Sequence, residues 1–355
     1  MKKTILLAAF AGFSISLTSS YAGEPIITCD KEVIEVCEDE FDTHRVDSHA
    51  PIGVMGDHTH EAGEVMVSYR YHHMSMGGSR EGTNSLSIPQ VFQRGYGVGV
   101  KEMEGHMHML GFMYAPSDWL TLTTMINYVQ KDMVMVANPH AMHHGGHGGG
   151  HTGTFGHSSE GLGDITVGGL IKIYDANRQR VHLNLGLVLP TAEVDQMEGG
   201  TFLPYGMQAG SGTFDLQPGI TYLGQSDAFS WGAQAIARIP LEDENESGYS
   251  LGDSVNITTW LARPLTDNLS ISARLNYNFS DALEGHYNGP HAHAAPPHFQ
   301  ANYGGHVIEA SPGINLLLNN GYRLAVEGLI PVYQDANGVG MDRDFGVVAG
   351  LQKAF

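Results

Sequence analysis

Apolar and polar residues alternate with a period of two along most of this chain, beginning at Gly63 and persisting to its end. Successive side chains of a β-strand point to opposite faces, so this spacing predicts strands with one apolar and one polar face. The clearest case runs Leu269, Ile271, Ala273, Leu275, Tyr277, Phe279, interleaved with Ser270, Ser272, Arg274, Asn276 and Asn278. The pattern recurs in twelve segments: 63–75, 103–115, 119–134, 162–175, 180–191, 212–223, 228–240, 249–262, 269–280, 304–318, 321–333 and 341–355. Their connections alternate in length. Pro116-Ser117-Asp118, Ala176 to Gln179, Gly224 to Asp227, Thr266-Asp267-Asn268 and Asn319-Asn320 are tight, whereas 135–161, 192–211, 281–303 and, at medium length, 334–340 are longer. Short turns at one rim and long loops at the other predict an all-β fold, a twelve-stranded transmembrane antiparallel β-barrel with periplasmic turns and outer loops. A soluble sandwich has no reason to segregate loop lengths, and it would expose these Leu, Ile and Val ladders to water.

Proline supports the same layout. Pro190, Pro240 and Pro331 each close a hairpin strand, and a residue that cannot donate to the ladder belongs where pairing ends or bulges. They are expected at the outer rim.

The segment before the barrel reads differently. Lys2 and Lys3, an apolar run from Ile5 to Phe13 and Ser20-Tyr21-Ala22 have the layout of a cleavable secretory signal over 1–22. No later stretch offers the roughly 20 consecutive apolar residues of a spanning helix. Residues 23–62 carry eleven acidic and two basic side chains and little periodicity, which predicts a loosely ordered, acidic periplasmic extension ahead of a barrel over 63–355. The two cysteines, Cys29 and Cys37, both fall in it; in an exported chain a local disulfide is the expected pairing, with a metal-binding thiol pair as the alternative.

Charge narrows the partners. The formal net charge of −20 argues against nucleic acid and against charge-driven binding to anionic lipid. The expected partners are outer-membrane lipid, the barrel-assembly machinery of a Gram-negative envelope, and small solutes or metal ions.

The chain ends Phe345-Gly346-Val347-Val348-Ala349-Gly350-Leu351-Gln352-Lys353-Ala354-Phe355, and a terminal phenylalanine after alternating apolar residues looks like the assembly signature of outer-membrane barrels. Gly161-Leu162-Gly163-Asp164 opening a strand at Ile165-Thr166-Val167-Gly168, and the run Leu185 to Thr191 closing that hairpin at a proline, resemble the outer-membrane channel family named for the meta-pathway of phenol degradation. The resemblance implies a transporter or channel and brings no catalytic residues.

Two sets of residues carry candidate chemistry. Alternation points Arg70, Lys172, Arg238, Arg274 and Arg323 into the lumen with Glu64, Asp164, Asp215, Glu309 and Glu327. Mixed charge there lines a conduction path or pairs into a network that closes one. The second set is rich in imidazole and thioether. His72, His73, Met74 and Met76 end the first strand, Met103, His106, Met107, His108 and Met109 open the second, and Met133 and Met135 end the third. His140, His143, His144, His147 and His151 follow in a glycine-rich loop at the same rim. Thioether with imidazole suits Cu(I) or Ag(I), and imidazole alone also suits Zn(II), Ni(II) or Cu(II). A copper-like or other transition-metal ion is therefore the ion they would take, although the barrel requires no cofactor. The competing readings are ordinary gap-filling methionine in a flexible polar loop and a non-conducting protein that captures metal. His157-Ser158-Ser159 raises a third, a barrel-bound phospholipase-like hydrolase, which is disfavoured because the trio falls in a glycine-rich loop. The expectation is no enzyme.

Overall fold

The alternation predicted over 269–280 becomes a strand over the same residues, Leu269–Ser280. Its polar set points inward and is buried, with Ser270, Ser272, Arg274 and Asn276 all inaccessible. Its apolar set points outward, with Leu275 54% and Ile271 43% exposed. The same inversion holds around the wall. Large apolar side chains that water would penalise form a continuous outer surface, which fits a hydrocarbon surrounding.

The computed structural model describes residues 40–140, 153–318 and 321–355. Twelve wall strands follow in chain order. They are β1 (Val65–Gly82), β2 (Val98–Ser117), β3 (Leu120–Ala137), β4 (Thr154–Leu162), β5 (Ile165–Ala176), β6 (Gln179–Leu189), β7 (Asp215–Gln225), β8 (Ser230–Pro240), β9 (Ser254–Thr266), β10 (Leu269–Ser280), β11 (Gly305–Leu317) and β12 (Tyr322–Ala354). All but β4 form a closed antiparallel ring of eleven, sealed where β12 pairs with β1. Two strands attach beside the ring: β4, which pairs with β3, and Asn84–Leu86, which pairs with β1.

The expected count of twelve is recovered from how these strands share the wall. β12 pairs with β11 through residues 323–336 and with β1 through 336–354, so it climbs from the periplasmic rim and returns to it as two staves. Conversely, β4 and β5 both pair with β3, over 128–136 and 120–125, and together make one descending stave broken at Gly163-Asp164. The medium loop expected over 334–340 is therefore strand, and the strands expected at 63–75 and 103–115 extend to Gly82 and back to Val98.

Tight turns lie at one rim as predicted. At Asn177-Arg178 both residues adopt positive φ, 54° and 57°, the mirror-image turn whose twist matches a right-handed hairpin. Pro190 follows the end of β6 and Pro240 closes β8, whereas Pro331 lies inside β12 opposite Glu309, at a bulge in the pairing with β11. At the outer rim the long connections fold inward as a cap. Phe202, Tyr205, Tyr249, Leu283, Tyr287 and Val194 form its buried cluster, in which the Phe202 and Tyr287 rings stack 3.9 Å apart. Among the described residues no helix is long and apolar enough to cross a membrane.

Candidate functional site: a plugged lumen

A barrel of eight strands is filled by its own side chains, while sixteen or more leave an aqueous channel. Twelve staves enclose an intermediate space. The chain fills it with the segment before β1. The expectation of a loosely ordered periplasmic extension over 23–62 is corrected for its described part: from Phe41 to His60 the chain lies inside the barrel, with Phe41, Val46, Asp47, Ala50, Ile52, Val54 and Asp57 all buried. The signal over 1–22 and Cys29 and Cys37 lie outside the described residues.

This plug has no regular secondary structure, so its backbone polar groups need partners from the wall. Side chains from around the circumference supply them. Arg70 on β1 donates to the Ile52 carbonyl at 3.1 Å, and Arg323 on β12 donates to that of Ala50 at 2.7 Å. The carbonyl of Gly56 is met by Asn184 of β6 at 2.8 Å and by His182 at 2.9 Å. Gln234 of β8 donates to the carbonyl of Met55 at 2.9 Å, and Ser270 of β10 to that of Val46 at 3.1 Å. The Gly53 N–H donates to Glu327 Oε2 at 2.8 Å, and Glu327 in turn holds Arg274 Nε at 2.6 Å. A Cβ at position 53 would meet that carboxylate at 2.6 Å and the guanidinium at 2.7 Å, so any larger residue would have to push the ion pair aside.

The lumen residues expected from alternation are thus largely paired. Besides Arg274 with Glu327, Arg238 Nε donates to Asp215 at 2.6 Å, and Asp215 and Asp164 share Ser211. Glu309 meets Arg343 at 3.3 Å and Asn276 at 3.2 Å. Arg70 and Arg323 serve the plug. Lys172 and Glu64 lie nearer the periplasmic end of their strands: Lys172 pairs with Asp175 at 3.1 Å, and Glu64 accepts from the N–H of Glu61 at 3.0 Å. Of the two readings of mixed charge, the paired network is the arrangement seen.

The histidine and methionine set divides between the two faces of the wall. Alternation applied to Met107, His108 and Met109 requires it. Outside, Tyr69 and Tyr71 hydrogen-bond His108 and His106 at 2.7 Å each, and His73 packs near Phe345 and Glu104. Inside, His72, Met74 and Met109 line a cavity beside the plug, and Met76 lines a second one above it. Met103, Met133 and Met135 are buried among Val100, Leu203, Met207 and Ala295, where their thioethers serve as packing. His140 is exposed, and His143, His144, His147 and His151 lie outside the described residues. Among the described residues the set is thus split by the wall, with His72, Met74 and Met109 on the lumen side and His73, His106 and His108 on the outer face.

His157, Ser158 and Ser159 lie on β4 rather than in a loop, and they assemble no Ser–His pair. His157 pairs with Glu198, Ser158 donates to Asp132 at 2.6 Å, and Ser159 donates to the Met207 carbonyl at 2.6 Å.

The cavity beside the plug measures about 650 Å³ and is bounded by Ile52 to Asp57, by Met74, Met109, Met113, Leu170 and Leu329, and by polar Ser68, Asn184, Asn256 and Arg274. A further cavity of about 230 Å³ lies under the cap, and the two share Asn278, Ser280 and Arg343 in their linings. In that cap His298 is buried, and its Nδ1 accepts from the Ala295 N–H at 3.2 Å, which requires an unprotonated ring. Burial, with His157, His291 and His293 nearby, pushes its pKa down to about 4. A histidine depressed below its unfolded value of about 6.5 contributes stability that is present above that pH and is lost as pH falls toward 4. Acidification through this window should therefore loosen the 281–304 connection, read as a fall in its amide protection factors once the intrinsic pH dependence of exchange is divided out, and His298→Gln should remove that fall. Protection factors that stay constant from pH 7 to 4 would contradict this role.

A closed antiparallel ring, apolar outside and polar inside, defines an outer-membrane β-barrel. The chain belongs to the family described as "Putative MetA-pathway of phenol degradation", whose profile matches residues 141–321. No curated protein sequence matches it. Among solved structures it is similar to the COG4313 outer membrane channel from Pseudomonas putida F1, at 11% identity and a TM-score of 0.57, over 86% of this chain and 100% of that one. It also matches a Pseudomonas aeruginosa FadL homologue at 9% identity and a TM-score of 0.38, over 82% of this chain and 90% of that one.

Proposed function

We propose that the chain is an outer-membrane channel for small solutes, held closed in this conformation by its own N-terminal segment. The observation that carries the reading is the cavity of about 650 Å³, walled on one side by the barrel and on the other by the plug residues Ile52 to Asp57. A passage that ends on a hydrogen-bonded segment, rather than on packed side chains of the wall, is one that displacement of the segment extends. The lining mixes thioether and aliphatic groups with hydroxyls, amides and a guanidinium, which suits small solutes carrying an apolar body and one or two polar groups. Both the membership of the family and the likeness to a channel barrel support this reading. Linkage to copper-like ions through the outer loop would be an addition to it, resting on His140 and the histidines between 143 and 151.

Proteoliposomes containing the full chain test the proposal. Small aromatic acids should enter faster than into protein-free vesicles, with a cut-off at the size of the cavity. Entry no faster than in empty vesicles, for the native chain and for variants with a loosened plug alike, would remove the channel reading.

A further inference from the structure

Three of the plug's four imidazoles, His49, His58 and His60, stand together and are not used by the channel reading. His49 and His58 lie edge to face with centroids 4.3 Å apart, and His58 and His60 lie 4.8 Å apart. His49, Asp57 and His58 each offer a ligand atom, and these atoms all lie within 4.8 Å of one another. The arrangement is not a set of satisfied core histidines. His58 Nδ1 is 2.9 Å from Asp57 Oδ1 and His60 Nδ1 is 3.0 Å from Glu64 Oε2, so each ring spends its N–H on a carboxylate. That fixes the tautomer in which Nε2 carries a lone pair. Both Nε2 atoms are buried, and neither has a hydrogen-bond partner among the described residues. His49 Nδ1 is likewise buried and unbonded, 3.8 Å from Asp57 Oδ2.

In an empty site a ligand histidine can rest its N–H on a ligand carboxylate, as His58 does on Asp57, and a bound ion takes that proton's place, while Glu64 orients His60 from behind. We propose that His49, Asp57 and His58 bind a divalent transition-metal ion of the Zn(II) class, with His60 as the adjacent fourth donor. Nitrogen and carboxylate oxygen in this proportion suit Zn(II), Co(II), Ni(II) or Cu(II) rather than the monovalent ions that thioethers select. The Nη atoms of Arg323, a guanidinium whose charge is opposed by Asp57, bind the Ala50 carbonyl, Asn315 and Gln352. An ion held here would join position 49 to positions 57 and 58 and staple the plug upon itself.

The test uses the detergent-solubilised full chain, stripped with chelator and titrated with Zn(II) by calorimetry and with Co(II) by visible absorption. The background carries alanine at His143, His144, His147 and His151, so that loop binding does not intrude. One equivalent of Zn(II) should bind, and Co(II) should give the intense bands of a low-symmetry site. His58→Ala and Asp57→Asn should each weaken Zn(II) binding about 100-fold or more, and Glu64→Gln by about 10-fold. Each variant is first shown to retain heat-modifiable migration as a folded barrel; Asp57→Asn keeps the volume and serves if His58→Ala does not fold. Absence of stoichiometric binding to the parent chain, or equal affinity in the parent and Asp57→Asn, would overturn the site.

Discussion

Deleting residues 41–60 should convert a barrel that opens only when its plug is displaced into a continuously conducting one, raising the time-averaged conductance of purified protein in a planar bilayer by at least about tenfold. Twelve staves enclose more space than their inward side chains fill, because the fully packed limit is near eight strands and open aqueous lumens appear by sixteen. The volume left over is occupied here by the plug, whose backbone is bound by β1, β6, β8, β10 and β12. Removal leaves Arg70, Arg274, Arg323 and Glu327 facing water in a wall whose ladder is untouched, so the truncated chain should still shift its migration on heating. A folded, truncated barrel that conducts no more than the parent would show that the outer cap, not the plug, sets the constriction.

A smaller change should give the second large effect. Glu327 is fully buried and joins two partners, Arg274 on β10 at 2.6 Å and the Gly53 N–H at 2.8 Å. Glu327→Ala removes one member of a buried ion pair and strands the other, a loss of about 3–5 kcal/mol. Unfolding by denaturant in micelles should show that loss, and bilayer recordings should show brief openings as the plug loses its anchor. The double variant Glu327→Gln/Arg274→Gln removes the uncompensated charge together with the pair. Its stability should return to within about 1 kcal/mol of the parent, since replacing both partners is often near neutral. The openings should persist, because the amide binds Gly53 less strongly than a carboxylate does. A Glu327→Ala barrel with parental stability and no openings would mean that the pair does not hold the plug.

Most of the wall was legible in the sequence because each stave is amphipathic on its own. The alternation over Leu269 to Phe279 needs no knowledge of its neighbours to predict a strand or its inward face. Prediction weakened where alternation stops. Met76 to Gly82 contains Gly77, Gly78 and Ser79, yet it continues β1, held by pairing with residues of β12 and with Asn84–Leu86. Asn337-Gly338 has the composition of a turn, but strand runs through it. The division of His and Met was available in principle, since neighbours such as His108 and Met109 face opposite ways on any strand. Grouping them by height along the barrel rather than by parity concealed it. The plug was not legible, for a physical reason. Its partners are single polar groups spread over the whole wall, so no local period records them, and the inward charges of β10 and β12 signalled only that something must pair with them.

The separations in those contacts bear on the order in which the molecule is assembled. Gly53 meets Glu327 across 274 residues, Ala50 meets Arg323 across 273, and Val46 meets Ser270 across 224. Contacts so distant in sequence form late, because the closure of long loops precedes any reward for them. Segment 41–60, exported before the wall that binds it, therefore has no complete set of partners until the last hairpin has sealed against β1. Until then its carbonyls are hydrated and the interior stays wet. Sealing the ring and emptying it of water are in this sense one event, completed by the earliest described part of the polypeptide.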